Sequence, residues 1–204
     1  MADIDTIIFD LGGVLIDWNP RYVYKKAFVT KEAVEHFLAD ICTSEWNEEQ
    51  DAGRSFEEAT SLLISTFPHY SKEISMYYGR WKEMLGGHIE DTVNTLSKIK
   101  QSGQYKLYAL TNWSDESFPL ALDIFEFLHW FDGILVSGAE KMKKPAPEIF
   151  ELILDRYNID RTKAIFIDDN IKNIHAAEKL GLKSIHFTSP EQLNSELLSL
   201  DIGL

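Results

Sequence analysis

The chain lacks most of the devices that hold a protein together outside a folded core. It contains one cysteine, Cys42, so no intramolecular disulfide can form, which fits a reducing, cytoplasmic setting. Cys42 itself reads as a small core residue rather than a nucleophile. No apolar run approaches the roughly 20 residues that a membrane helix needs. The opening residues, Met1-Ala2-Asp3-Ile4-Asp5, are acidic and carry no basic start of an export signal. Basic residues are scarce: 20 Lys and Arg stand against 33 Asp and Glu, a formal net charge of −13. That excludes a nucleic-acid binder, whose phosphate contacts need a surplus of cations. One small phosphorylated ligand in a locally positive pocket remains compatible with it. The histidines at 36, 69, 88, 129, 175 and 186 show no metal-ligand spacing. There is no Gly-x-Ser-x-Gly elbow and no P-loop, and Gly12-Gly13 alone is no dinucleotide fingerprint.

What is present suits a folded enzyme-sized globule. Hydrophobic residues make up 45% and aromatics 12% of 204 residues, enough for one domain with a small insert and a core that needs no staples. Thr6-Ile7-Ile8-Phe9 is a short apolar run stopped by Asp10-Leu11-Gly12-Gly13, and reads as a buried strand ending in a glycine turn. Comparable runs lie at 107–110, 134–136, 164–167 and 184–187. They are continuously apolar, as parallel strands covered on both faces are. Helical spacing separates most of them. Val93, Leu96 and Ile99 are three apart; Ile149, Ile153 and Leu154 follow Pro145 and Pro147; Ile174, Ala177 and Leu180 precede Gly181, a helix stop. The alternation predicts an α/β fold, a doubly wound Rossmann-like parallel sheet with ligands at the carboxyl ends of its strands.

Residues 17–87 break the alternation. They contain no convincing strand and read as helices over about 20–28, 31–41, 55–67 and 71–85, with a polar, solvated loop near 43–54. Leu62, Leu63, Phe67, Trp81, Met84 and Leu85 are expected to supply their internal packing, and Gly86-Gly87 marks the return to the sheet. The expected organisation is an α/β core, 1–16 and 88–204, interrupted by an α-helical cap, 17–87.

Four features stand at the ends of four predicted strands: Asp10, Thr111-Asn112, Lys144 and Asp168-Asp169. In a parallel sheet these ends converge on one rim. Singly, each has a bland reading as a turn, a loop, a solvated lysine or a helix cap. Together they bring three carboxylates, an ammonium, a hydroxyl and an amide to one place. That set suits Mg²⁺, through hard oxygen ligands, and a phosphoryl group, through donors and positive charge.

In this order on successive strands, these residues make the chain similar to the haloacid dehalogenase-like hydrolase superfamily, with the helical cap of its first class. The resemblance spans nearly the whole chain. Asp10-Leu11-Gly12-Gly13-Val14 resembles the first family motif, Thr111-Asn112 the second, Lys144 the third and Asp168-Asp169 the fourth. More narrowly, the chain resembles bacterial sugar-phosphate phosphatases acting on glucose 1-phosphate, which share the Phe9-Asp10-Leu11-Gly12 opening, Lys144-Pro145 and Asp168-Asp169-Asn170. The resemblance implies a phosphatase in which Asp10 attacks phosphorus and forms an aspartyl phosphate. It implies Mg²⁺ held by Asp10, the Gly12 carbonyl and Asp168, with Asp169 reaching the metal through water or orienting Lys144. Thr111 and the Asn112 backbone would hold phosphoryl oxygens, and Lys144 would balance charge.

The chain departs from the family at one position. Most of these phosphatases carry a second Asp two residues after the nucleophile, as acid for the leaving group and base for water, and here that position is Gly12. A good leaving group could dispense with the acid, or Asp17, Glu45 or Glu48 could stand in for it. Two alternatives to the phosphatase follow: a metal-independent 2-haloacid dehalogenase, or a non-catalytic phosphometabolite-binding protein. The cap is expected to set substrate choice. Trp46, Asn47 and Gln50 from its polar stretch, and Trp113 beside the rim, suit a sugar ring. The expected partner is thus a small-molecule phosphate ester, with no nucleic acid and no membrane.

Overall fold

A computed structural model describes residues 4–203; residues 1–3, part of the acidic opening expected to carry no export signal, and residue 204 lie outside it. The described strands are β1 (Thr6–Phe9), β2 (Ile16–Trp18), β3 (Leu85–His88), β4 (Lys106–Thr111), β5 (Gly133–Val136), β6 (Ala164–Asp168) and β7 (Lys183–His186). Five of them form one parallel sheet in the order β5-β4-β1-β6-β7. The apolar runs of the sequence are these five strands. The last run ends one residue early as a strand, although the Phe187 N–H still donates to the Asp168 carbonyl at 2.9 Å.

Successive strand residues face opposite sides, so a continuous apolar run feeds two cores at once. Ile7 and Phe9 of β1, with Ile165 and Ile167 of β6, point to one core. Val93, Leu96 and Ile99 of the helix Glu90–Ser102, and Leu193 and Leu197 of the helix Pro190–Ser199, close it. Ile8, Phe166 and Leu110 point the other way, onto Ile149, Phe150 and Ile153 of the helix Pro147–Tyr157 and Ile174 and Ala177 of the helix Ile171–Lys179. Helices on both faces of a parallel sheet make the fold doubly wound α/β.

The stretch from 17 to 87 differs from its sequence reading in four ways. It is not free of strands: Ile16–Trp18 and Leu85–His88 pair antiparallel where the chain leaves and re-enters the sheet region. The pairing was hidden because one partner is Leu-Gly-Gly-His, which carries no strand pattern. A Cβ on Gly86 would come within 2.0 Å of an Asp17 carboxylate oxygen, so this ladder needs glycine there. The polar stretch near 43–54 is not a loop, because Ser44–Asp51 is a helix whose first turn is capped by the Thr43 hydroxyl accepting from the Trp46 N–H at 3.1 Å. Its polar composition masked the helix; its buried face is little more than Trp46 and Gln50. The expected helices at 20–28 and 71–85 are shorter, Arg21–Tyr24 and Ser71–Gly79, the second followed by a 3₁₀ turn at Trp81–Met84. Leu62 is 52% exposed rather than packed, while Met84 is fully buried and Trp81 nearly so.

Among the described residues no helix is long and apolar enough to cross a membrane. The burial contrast gives a direct test. Met84→Ala is expected to cost about 2–5 kcal/mol in urea unfolding, and Leu62→Ala to stay within about 0.5 kcal/mol. Equal losses at the two positions would contradict the packing described.

Candidate active site

The strand order places β1 between β4 and β6, so the residue following β1 sits at the middle of the rim. Asp10 is that residue. Its N–H donates to the Ile167 carbonyl at 2.8 Å, and one carboxylate oxygen accepts from the Leu11 N–H at 2.7 Å. Asp168 ends β6 and is fully buried. The Asn170 N–H (2.8 Å) and the Asn173 amide (3.0 Å to each oxygen) donate to its carboxylate. Asn173 is a site residue that sequence reasoning missed. It lies in the first turn of a helix, where an amide reads as ordinary surface.

Lys144 joins the two carboxylates. It is 2% exposed, and its Nζ lies 2.7 Å from Asp168, 3.0 Å from Asp10 and 2.8 Å from the Leu110 carbonyl. Burial alone would lower its pKa, but Asp10 and Asp168 reverse the effect and raise it, so Lys144 is held as an ammonium. Asn112 fixes the lysine rather than facing outward. Its side chain accepts from the Lys144 N–H at 2.8 Å and donates to the Lys144 carbonyl at 2.9 Å.

Asp169 completes the carboxylate set. Oxygens of Asp10, Asp168 and Asp169 lie within 4.8 Å of one another. Gly13 lets Asp169 approach: its φ is +75°, and a Cβ there would come within 2.2 Å of an Asp169 oxygen. Three carboxylates around one ammonium, Asp10 and Asp168 buried and Asp169 exposed, leave an excess of two formal negative charges. Burial, opposed by Lys144 and reinforced by Asp168 and Asp169, pushes the Asp10 carboxyl well above the usual range. Burial and the Asp168 charge raise Asp169 as well. A hard divalent cation is the ligand such a set fits, and Mg²⁺ satisfies the charge count. Thr111 adds a second observation. It is 1% exposed, and its hydroxyl has no hydrogen-bond partner in the protein. A buried hydroxyl left open beside this cluster suits an incoming anion.

The rim opens into a cavity of about 870 Å³. Asp10, Gly12, Asn112, Trp113, Lys144 and Asp169 form its floor, and Trp18, Leu38, Cys42, Asn47, Asp51, Tyr77, Tyr78 and Trp81 are among its walls. Trp113 faces it as expected, packed edge-on against Trp81 with centroids 5.5 Å apart. Trp46 does not. It is wedged against Tyr77 and Tyr78 in the aromatic packing of the 17–87 segment. Gln50 is fully buried and held by Trp46, Tyr78 and Arg54. Of the stand-in acids weighed from sequence, Asp17 accepts from the Tyr22 hydroxyl at 2.5 Å, away from the cavity wall. Glu45 is exposed and held low by its own backbone amide and the Thr43 hydroxyl. Glu48 reaches the cavity but is paired with Lys143 at 2.5 Å. Cys42 is buried, and desolvation pushes its thiol up to about 12, so it is inert.

Residues 4–181 match the family of haloacid dehalogenase-like hydrolases, and the chain belongs to it. It is therefore a hydrolase. It is 28% identical over 194 residues to the sesquiterpene phosphatase astK of Aspergillus oryzae, covering 95% of this chain and 94% of that one. It is 22% identical to a phosphorylated carbohydrates phosphatase of Thermotoga maritima, covering 90% of this chain and 84% of that one. Among solved structures it resembles a HAD family enzyme of Bacteroides thetaiotaomicron in complex with magnesium and inorganic phosphate. That match has a TM-score of 0.68, 23% identity, and covers 91% of this chain and 94% of the other.

Lys144→Met would leave the carboxylates without their ammonium. Breaking a buried pair from one side costs about 3–5 kcal/mol. Without the ammonium that opposes it, the upward shift of Asp10 and Asp169 grows, so they hold protons to higher pH in the native state than in the unfolded chain and stability falls further as pH rises. Urea unfolding at pH 5 and pH 8 is expected to show the larger deficit at pH 8. A deficit independent of pH would contradict the charge count.

Proposed function

We propose that the protein is a Mg²⁺-dependent phosphatase that hydrolyses a small phosphorylated metabolite through an aspartyl phosphate on Asp10. The observation that carries this reading is the excess of carboxylate over ammonium at the floor of the cavity, with the buried, unpartnered Thr111 hydroxyl at the end of the adjacent strand. Asp10, Asp168, Asp169 and the Gly12 carbonyl would hold the cation. Bound there, Mg²⁺ would neutralise the surplus negative charge and let a phosphate dianion approach a carboxylate. The chain's own residues supply the rest. Asp10 is the nucleophile, fixed by the Leu11 N–H on one oxygen and Lys144 on the other. Lys144 balances charge on the nucleophile and the transferring group, while Thr111 and the Asn112 backbone receive phosphoryl oxygens. Asn112 and Asn173 act behind them, orienting Lys144 and Asp168.

Residues 17–87 form the cap in this reading, and the core comprises 1–16 and 88–204. Both line the cavity, which supports a cap that closes over bound substrate and excludes water. A sugar phosphate is the finer reading drawn from the sequence, and Asn47 and Trp113 on the cavity wall still support it. A phosphate ester of an apolar alcohol is the second reading. It is favoured by the apolar walls, Trp18, Leu38, Phe56, Tyr77 and Trp81, and by the likeness to a sesquiterpene phosphatase. A carboxylate trio argues against metal-independent dehalogenation, which has no use for it. The single, buried Cys42 supports a cytoplasmic setting.

A panel of phosphate esters assayed with Mg²⁺, including glucose 1-phosphate and farnesyl phosphate, tests the reading. Turnover is expected, abolished by EDTA and reduced more than about 10³-fold in Asp10→Asn. Turnover that survives EDTA, or halide release from a 2-haloacid, would overturn it. Binding of esters without turnover by either protein would favour the non-catalytic alternative.

A further inference from the structure

Position 12 has no side chain to protonate a leaving group, and Asp17, Glu45 and Glu48 do not reach the cavity as free acids. Among the described residues, one other carboxyl lines the cavity outside the Asp10 cluster and without an ion pair, though the Ser114 backbone amide donates to it. Asp51 lines the cavity that holds Asp10 and Lys144, and it is the last residue of the helix Ser44–Asp51. Its backbone is bolted to the core. The Asp51 carbonyl accepts from the Ser137 hydroxyl at 2.5 Å, and the same hydroxyl oxygen accepts from the Trp113 N–H at 2.9 Å. Gly53 packs so closely on the Gly138 carbonyl that a Cβ would come within 2.9 Å. Asp51 is thus held against the loop that follows Thr111-Asn112.

Resting on the phosphatase reading above, we propose that Asp51 is the general acid and base of the reaction, doing from the cap what no side chain at Gly12 can do. In the first step an Asp10 oxygen bonds to phosphorus, the bond from phosphorus to the leaving oxygen breaks, and the Asp51 carboxylic acid gives that oxygen its proton. In the second step water attacks phosphorus and passes its proton to the Asp51 carboxylate. The bond between Asp10 and phosphorus breaks, phosphate leaves, and Asp51 is again an acid.

The surroundings suit a carboxyl that is protonated near neutrality. A helix C-terminus disfavours negative charge. Glu48 lies one turn back on the same helix, and the Tyr77 and Tyr78 hydroxyls of the helix Ser71–Gly79 are near. The cations are committed elsewhere: Lys143 to Glu48, Lys144 to Asp10 and Asp168, and Arg54 to Gln50 and Trp46, while the Lys141 stem lies over Gly53. Burial dominates, with Lys143, the Ser114 backbone amide and Lys144 opposing it, and the carboxyl is pushed up to about 7. An acid with that pKa is protonated often enough to donate and ionised often enough to accept.

Asp51→Asn tests this against two substrates, 4-nitrophenyl phosphate and an alkyl phosphate, with Mg²⁺. A nitrophenolate leaves without help; an alkoxide needs a proton. The variant is expected to lose about 10²–10⁴-fold in kcat/KM on the alkyl ester and little in kcat/KM on the aryl ester, because kcat/KM reports the first step and only the alkoxide needs the proton there. The fall of wild-type kcat/KM for the alkyl ester as pH rises through about 7 should disappear with it. A second readout needs no turnover. The carboxyl binds its proton more tightly folded than unfolded, so wild type loses stability between about pH 4 and 7, and Asn does not. Asp51→Asn should therefore melt above wild type at pH 8, with the gap closing towards pH 5. Equal losses in kcat/KM on both esters with the pH profile unchanged would make Asp51 a merely structural residue and overturn the inference. So would an unaltered rate on the alkyl ester. Failure of wild type on both esters would overturn the phosphatase reading and this inference together.

Discussion

The structure turns on one imbalance of charge. Lys144 is buried between Asp10 and Asp168, with its three donor directions used by those carboxylates and the Leu110 carbonyl. Asp169 brings a third carboxylate to the same point, and among the described residues no salt bridge gives it an ammonium of its own. Much else serves this cluster. The strand order sets Asp10 between the strands that deliver Thr111 and Asp168. Asn112 clamps the Lys144 backbone, Asn173 and the Asn170 amide satisfy Asp168, and Gly13 clears the space Asp169 needs. Such an arrangement is costly in an empty protein and favourable around a cation and an anion. This is the usual relation between a site built for binding and the stability of its fold.

The sheet was legible in the sequence because its signal is local. Thr6-Ile7-Ile8-Phe9 and Ala164-Ile165-Phe166-Ile167 are short, wholly apolar and bounded by acids, and burial on both faces leaves that mark. The rim followed from it, since parallel strands must end at the same edge. The segment between β2 and β3 was less legible. Ser44–Asp51 buries little more than Trp46 and Gln50, so its helical period is faint in a polar stretch. The β2–β3 ladder depends on Gly86 yielding room to Asp17, a contact between residues nearly seventy positions apart. Residue type alone suits Trp46 and Gln50 to a sugar ring. Packing decides otherwise: Trp46 lies edge-on to Tyr77 and tilted against Tyr78, and Gln50 is saturated with partners. Asn173 and Asp51 escaped notice for the same reason, being ordinary polar residues until the fold brings them to Asp168 and to the cavity wall.

Gly12 links the two halves of the account. A Cβ at this position would meet nothing within 4 Å, so the site has space where a side chain could stand and none does. On the phosphatase reading, catalysis is mostly positioning and electrostatics, which the floor of the cavity would provide. Proton transfer is the part the floor lacks, and the 17–87 segment faces the floor across the same cavity. Under this view the cap contributes chemistry as well as selectivity, and the two cannot be varied independently.

The charge imbalance is the claim on which the rest stands, and calorimetric titration of Mg²⁺ into the protein tests it without any substrate. One saturable site per chain is expected, weakened about 10–100-fold in Asp169→Asn, because that substitution removes one of the surplus negative charges. Absence of saturable Mg²⁺ binding to the wild-type protein, or binding indifferent to Asp169, would contradict it.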